Sequence, residues 1–222
     1  MTLKEIRDEA RQYARDTAEQ DTDRLWPDVE MTRYVNDVYF DLAEECRLIL
    51  DASSAFCTLT LSSTTPAISY TLDPCILEIH SARLMTKGWT LRPGSVTKFQ
   101  IDPLWDTRVG MPTMYATDYE QGKLTLNYLN DFDDTINLQV LRLPTEELSA
   151  DADVPEIPAK YHRYFFHGVL AQMYGKQDAD AYDADRLAAF TQMYNQDKES
   201  IKRKELRYGL IPRNVYPLGA FI

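Results

Sequence analysis

The sequence predicts an α+β fold: an antiparallel helical bundle with an inserted small antiparallel β-sandwich or open barrel, plus an extended C-terminal arm. Three observations carry this reading. Apolar residues recur at helical spacing near both ends of the chain, whereas the stretch between them reads as short β-type runs separated by turn residues. The final segment is mostly apolar, yet it holds Pro212, Pro217 and Gly219, which deny it a helix of its own. The expected parts are residues 1–54, the first part of the bundle; 55–145, the inserted β domain; 146–208, a helical hairpin completing the bundle; and 209–222, the arm.

Thr2 and Glu5 form the Thr-x-x-Glu pattern of a capping box, and Leu3, Ile6, Ala10, Tyr13 and Ala14 supply the helical period that follows. This first helix is expected to reach about Gln20. Trp26-Pro27-Asp28 then reads as an apolar residue packed just outside an Asp cap. The second helix carries Met31, Val35, Val38, Leu42, Cys46 and Ile49 on one stripe, while Asp37, Asp41, Glu44 and Glu45 give it a strongly negative side.

The change of texture comes at Ala52-Ser53-Ser54. Phe56 to Leu61 and Ser69 to Leu72 flank a Ser/Thr/Pro turn as a hairpin, and Cys75 to Leu84 and Trp89 to Leu91 follow as strands. Ser95 to Asp102 suits one or two helical turns. Thr113 to Thr117 and Lys123 to Tyr128 make a second hairpin around Gly122, and a strand through Ile136, Leu138, Val140 and Leu141 closes the block at Leu143-Pro144.

Pro158 suits a first helical turn, because its missing N–H has no intrahelical partner to lose. Tyr161, Phe165, Val169 and Met173 then give the spacing of a buried helix face. Aspartates between Lys176 and Asp185 can cap a further helix, which bears Leu187, Phe190, Tyr194 and Ile201 on one face. Lys202, Arg203, Lys204 and Arg207 sit in its last turns, where the helix dipole favours cations, and Gly209 suits a left-handed cap. Such a hairpin needs apolar partners, and the other helical sequence lies at the N-terminus.

At 222 residues the chain can bury a core without covalent staples. Cys46, Cys57 and Cys75 are odd in number and lack the spacing of zinc or redox motifs, so they read as free thiols. No secretion signal and no membrane-spanning run is apparent, which leads us to expect a soluble protein made in the cytoplasm, with no membrane partner. Net charge is -11, against nonspecific binding of nucleic acid by the whole chain. From Lys198 to Ile222 six basic and two acidic residues give a net of +4, which leaves -15 on the remainder.

Catalytic chemistry is not legible. His162 and His167 are five residues apart and so fall on different helix faces, and His80 lies on a strand. The aspartates at 178, 180, 183 and 185 lack the turn glycine and closing glutamate of a calcium loop. Phosphate-loop and nucleophile-elbow patterns are absent. We therefore expect no enzyme, no catalytic residue, no cofactor and no metal; a soluble enzyme with a dispersed site is the least favoured alternative. The arm is the strongest interface signal, since disordered tails are usually polar and this one carries Leu210, Ile211, Val215, Tyr216, Leu218, Phe221 and Ile222.

The order of short motifs adds to this. Trp26-Pro27-Asp28 is followed by Tyr34-x-Asn36-Asp37, Tyr70-x-Leu72-Asp73, Gly110-x-Pro112 with Tyr115, Gly122-Lys123-Leu124-x-Leu126 and Leu143-Pro144. Pro155-Glu156-Ile157-Pro158 then precedes Tyr161-His162 and Tyr174-x-Lys176. Taken in sequence, these resemble the head-to-tail adaptor (connector) proteins of tailed phages, in particular the tail tubular protein A family of short-tailed phages. Where members often read Tyr-x-Leu-Pro, this chain has Leu72-Asp73-Pro74.

The resemblance implies a structural virion protein at the portal vertex or neck: a subunit of a dodecameric ring that binds the phage portal protein and connects it to a tail, nozzle or stopper protein. DNA would pass through a central channel without specific binding. It also implies a C-terminal arm that grips the portal, which assigns portal contacts to Lys202, Arg203, Arg207, Ile211, Arg213, Tyr216, Leu218 and Phe221. The acidic side of the second helix and the loop Asn130 to Asp134 are the expected channel-facing surfaces. A stopper or tail-completion protein of the same neck is the alternative reading.

Overall fold

In the computed structural model, which describes residues 1–18, 23–178 and 181–208 (206–208 as backbone only), the chain divides into two units: Met1–Ile49 with Pro144–Ile222, and Leu50–Leu143. The fold is mixed α and β, with five α-helices among the described residues. The expected arm, residues 209–222, lies outside the described residues, and with it the Gly209 cap, Ile211, Arg213, Tyr216, Leu218 and Phe221.

The first unit is built from α1 (Leu3–Ala14) and α2 (Asp28–Cys46), and from α4 (Phe165–Tyr174) and α5 (Ala184–Tyr208) far along the chain. Both bonds of the Thr2–Glu5 capping box are present. The helix it starts is shorter than expected, ending at Ala14 instead of continuing to Gln20. Arg15 takes a left-handed conformation (φ 60°), and the Asp16 carboxylate accepts the backbone N–H groups of Leu25 and Trp26 at 3.0 and 3.2 Å, which turns the chain back. α2 also stops early, because Arg47 is left-handed and Ile49 belongs to a strand, β1 (Ile49–Asp51). Pro158 begins a 3-10 turn, Ala159–Tyr164, and α-helical geometry starts only at Phe165. Asp183 caps α5 by accepting the Arg186 N–H.

α4 packs on α1, α2 and α5, and the core includes Leu3, Val35, Leu42, Phe165, Val169 and Ile201, all but fully buried. Polar links fix the register between the early and late parts of this unit. The buried Asn36 side chain both donates to the Leu148 carbonyl and accepts its N–H, each at 2.9 Å. Trp26 Nε1 donates to the Met173 carbonyl at 3.0 Å, and the Glu156 N–H donates to Tyr39 Oη at 2.8 Å. Each satisfies a group whose burial would otherwise be costly.

The second unit holds β2 (Thr58–Leu61), β3 (Ser69–Thr71), β4 (Ile76–Leu84), β5 (Thr90–Pro93), α3 (Val96–Phe99), β6 (Met114–Ala116), β7 (Lys123–Leu126) and β8 (Asp134–Arg142). With β1 they form one continuous sheet in the order β1-β8-β4-β5-β6-β7-β3, and β2 also pairs with β8. The sheet is curled as an open half-barrel around Leu84, Leu91, Leu124, Leu126, Ile136 and Leu138.

Two expectations are corrected: the strands at Phe56–Leu61 and Ser69–Leu72 do not form a hairpin, since β2 pairs with β8 and β3 with β7, and the sheet is not all antiparallel, since β5 and β6 run parallel with Arg92 opposite Met114. A parallel pair needs a long crossover. Residues 94–113 supply it, with α3 and the buried Phe99 and Trp105 making a small core of their own.

Candidate functional site at the end of the C-terminal helix

Residues of the expected portal contact that fall within the described chain lie on the last turns of α5. Their immediate partners are on their own unit. Lys202 Nζ reaches Glu45 on α2 at 2.9 Å and Glu199 at 3.7 Å. Glu45 is held below the usual carboxylate range, first by the hydrogen bond from Lys202 and then by Lys198. One and two turns earlier on α5, Lys198 Nζ reaches Asp41 at 3.1 Å and Glu45 at 3.3 Å, and Tyr194 Oη donates to Asp41 at 2.6 Å. Burial and the Asp41 bond push the Tyr194 hydroxyl far above its ordinary pKa. A ladder of paired side chains thus ties α5 to the acidic side of α2.

Arg203 points the other way. Its side chain is exposed and its Nε donates to the Glu199 carbonyl on its own helix at 3.2 Å. Arg207 continues α5, with its side chain outside the described residues. The structure therefore brings Lys202 together with Glu45 and leaves Arg203 facing solvent.

The inward face of the same turns is anchored on the 3-10 turn Ala159–Tyr164. Ile201 is fully buried. Glu205, only 3% exposed, accepts two hydrogen bonds: one from Tyr161 Oη and one from Lys160 Nζ at 3.0 Å. Lys204 Nζ and Arg163 Nη2 both donate to Tyr164 Oη at 2.8 Å. The Lys204 bond, with help from Arg163, lowers the Tyr164 pKa, whereas burial and then Glu205 raise that of Tyr161. The helical period places Glu205 one turn after Ile201 on the buried face, but a carboxylate set among cations reads as solvated, and its partners Tyr161 and Lys160 leave no trace in the period.

A groove of ≈ 760 Å³ opens between α2, α4 and α5. Four of its charged side chains are already paired, Lys176 with Glu30 at 2.8 Å and Lys198 with Asp41 at 3.1 Å. Of the histidines, His162 is buried, with Nε2 2.7 Å from the Ile157 carbonyl and Nδ1 2.9 Å from the Met1 amino group. His167 Nδ1 lies 2.6 Å from Asp197, and His80 is exposed on β4. Among the described residues no cluster of three metal-ligating side chains occurs, and no helix is long and apolar enough to cross a membrane.

The loop Asn130 to Asp134 is partly structural. Asn130 is buried and donates to the Ser62 and Phe132 carbonyls, and buried Asp134 accepts the N–H groups of Thr86 and Lys87. Asp133 accepts from Ser63, which leaves Asp131 as the exposed acid that the loop does not use in its own folding.

The profile of the SU10 adaptor protein family matches residues 1–214. The chain belongs to that family, one of phage head-to-tail adaptors, and the resemblance read from the motifs holds at that level. No curated protein matches it. The motif residues also acquire physical roles: Trp26, Asn36 and Lys176 hold the early and late parts of the first unit together, Lys176 Nζ donating to the Leu25 carbonyl at 3.0 Å as well as to Glu30. In the second unit, the Leu72 N–H donates to the Gly122 carbonyl at 2.8 Å, and Gly122 itself sits at φ 71°, where a side chain would be strained.

Proposed function

We propose that this protein is a ring subunit of the phage neck, docking on the portal protein through its C-terminal segment and joining it to a tail, nozzle or stopper protein. The helices of the first unit act as the bundle of the adaptor body, and twelve copies surround a channel through which DNA passes without specific contacts. Family membership over residues 1–214 is the observation that carries the reading.

Two features support it. The residues beyond α5 are mostly apolar and interrupted by prolines, so they gain free energy by filling grooves on another surface, in the manner of an extended recognition segment. The body is acidic, and Asp37, Glu44 and Asp131 are exposed, which disfavours the phosphate contacts that dominate nonspecific DNA binding. A net charge of -11 also makes subunits repel one another, so the ring assembles on the portal as template.

The test is electron microscopy and co-sedimentation of the purified protein with portal particles. Added rings at the portal vertex are expected with the full chain and none after removal of residues 213–222. A truncated protein that still decorates portals overturns the clamp assignment, and a full chain that decorates nothing overturns the reading.

A further inference from the structure

The last turn of α5 contains an arrangement that stability alone does not call for. Glu205 is a carboxylate buried at the C-terminal end of a helix, where the dipole disfavours an anion. Apolar side chains of similar volume at buried ion-pair sites are often no less stable. The neighbour one turn back, Ile201, shows that this face accepts an apolar residue. What Glu205 has that leucine lacks is direction: its Oε1 is fixed by Tyr161 Oη and by Lys160 Nζ at 3.0 Å, and Lys160 also lies 4.6 Å from the Tyr161 ring centroid.

A second contact brackets it. Lys204, the adjacent residue, donates to Tyr164 Oη at 2.8 Å, and the Tyr161 and Tyr164 rings lie side by side with centroids 6.2 Å apart. Two consecutive residues of α5 are thus gripped by two tyrosines one helical turn apart. Apolar packing tolerates a helix rotating or sliding slightly, whereas two directional bonds to neighbouring rings do not.

We propose that Glu205 and Lys204, held by Tyr161 and Tyr164, form a mounting that fixes the rotation and exit direction of the end of α5, so that the segment after it is presented to its docking surface in one orientation. This rests on the reading of that segment as the docking arm. Glu205 is a positioning residue, and its benefit is pre-organisation: a chain leaving in one direction loses less freedom on docking than one leaving in many.

The test uses the full chain in three forms, wild type, Glu205→Leu and Tyr161→Phe, with Glu205→Gln as the conservative rescue because its amide oxygen still accepts from Tyr161. Hydrogen exchange across residues 199–208 reads the mounting itself, and co-sedimentation with portal particles reads docking. Expected are unchanged protection in the rest of the helical unit, about tenfold faster exchange in the last turn for Glu205→Leu and Tyr161→Phe, and recovery in Glu205→Gln. Portal affinity should fall about tenfold in the first two variants and stay near wild type in the third.

Unchanged exchange in both Glu205→Leu and Tyr161→Phe overturns the mounting. Faster exchange with undiminished portal affinity overturns its link to docking. Wild-type protein that ignores portal particles defeats the docking reading, and the exchange contrast then decides the mounting by itself.

Discussion

Arg142, the last residue of β8, donates its Nε proton to Asp51 at 2.8 Å, joining residues 91 apart in sequence in a pair almost closed to solvent. Burial opposes ionisation of Asp51, but hydrogen bonds from the Ser54 hydroxyl, the Ser53 and Ser54 N–H groups and Arg142 outweigh it and hold the carboxyl well below its usual range. Removing one partner of such a pair strands the other charge. Arg142→Ala should therefore cost about 3 to 5 kcal/mol of stability in the β unit, measured by urea unfolding.

The same group sets an acid limit. A carboxylate with a depressed folded pKa contributes stability that is present above its unfolded value near 4 and is lost as pH falls through and below it. Unfolding followed by near-ultraviolet circular dichroism should show stability falling below about pH 4, less steeply in an Asp51→Asn variant.

His162 places a separate limit at higher pH. Burial, the largest influence, and the nearby Met1 ammonium lower its pKa below 6.5, so the ring is neutral, with Nε2–H donating to the Ile157 carbonyl. The contribution of the neutral ring is present above the unfolded pKa and is lost as pH drops from about 6.5 towards the folded value. A stability profile between pH 7 and 5 should slope downward for wild type and flatten in His162→Gln, well clear of the carboxylate transition. Identical slopes would show that His162 is not the titrating group.

Gly168 lies where three helices meet. A Cβ built there would stand 2.9 Å from Tyr194 on α5 and 2.9 Å from both Val38 methyl groups on α2. Alanine would gain about 1 kcal/mol of helix propensity but collide with all three atoms, and valine adds two methyl groups to the collision for a smaller gain. Gly168→Val should cost about 1 to 3 kcal/mol and lower the thermal midpoint, with Gly168→Ala intermediate.

What the sequence made legible follows from the range of the forces involved. The first helix start and the stripes came through because a capping box and the 3.6 period are local: the Thr2–Glu5 box and the Phe165–Val169–Met173 face were both readable and both present, whereas α2 is capped by Pro27 instead of Asp28 and α4 begins at Phe165 instead of Pro158. The end of α1 was not readable, because Asp16 stops the helix by bonding to Leu25 and Trp26, a contact that leaves no trace in periodicity. The parallel β5–β6 pair was missed for the same reason, since strand direction is decided by the path of the crossover and not by the strands themselves. At the end of α5 the cations were visible, but their partners were not. Glu45 reaches Lys202 from 157 residues away, and Tyr161 reaches Glu205 from 44.

That distant pairing separates the cations in a way that kinetics can test. Lys202 spends its charge on Glu45 and Glu199, so replacing it removes a partly exposed ion pair of modest worth, about 0.2 to 1 kcal/mol, and alters the local field little beyond uncovering Glu45. Arg203 holds only a backbone carbonyl of its own helix among the described contacts, and its guanidinium remains exposed at the outer face of α5. An exposed cation of this kind acts on encounter with an acidic surface and is screened within a Debye length of about 8 Å at physiological salt. With portal particles as the partner, Arg203→Glu should slow association several-fold at low salt, by roughly the change expected for a rim charge, and the difference from wild type should fade as salt rises. Lys202→Ala should instead lower thermal stability slightly and leave the association rate close to wild type. Equal kinetic effects from the two substitutions would mean that the Lys202–Glu45 pair opens on docking and that both cations face the partner.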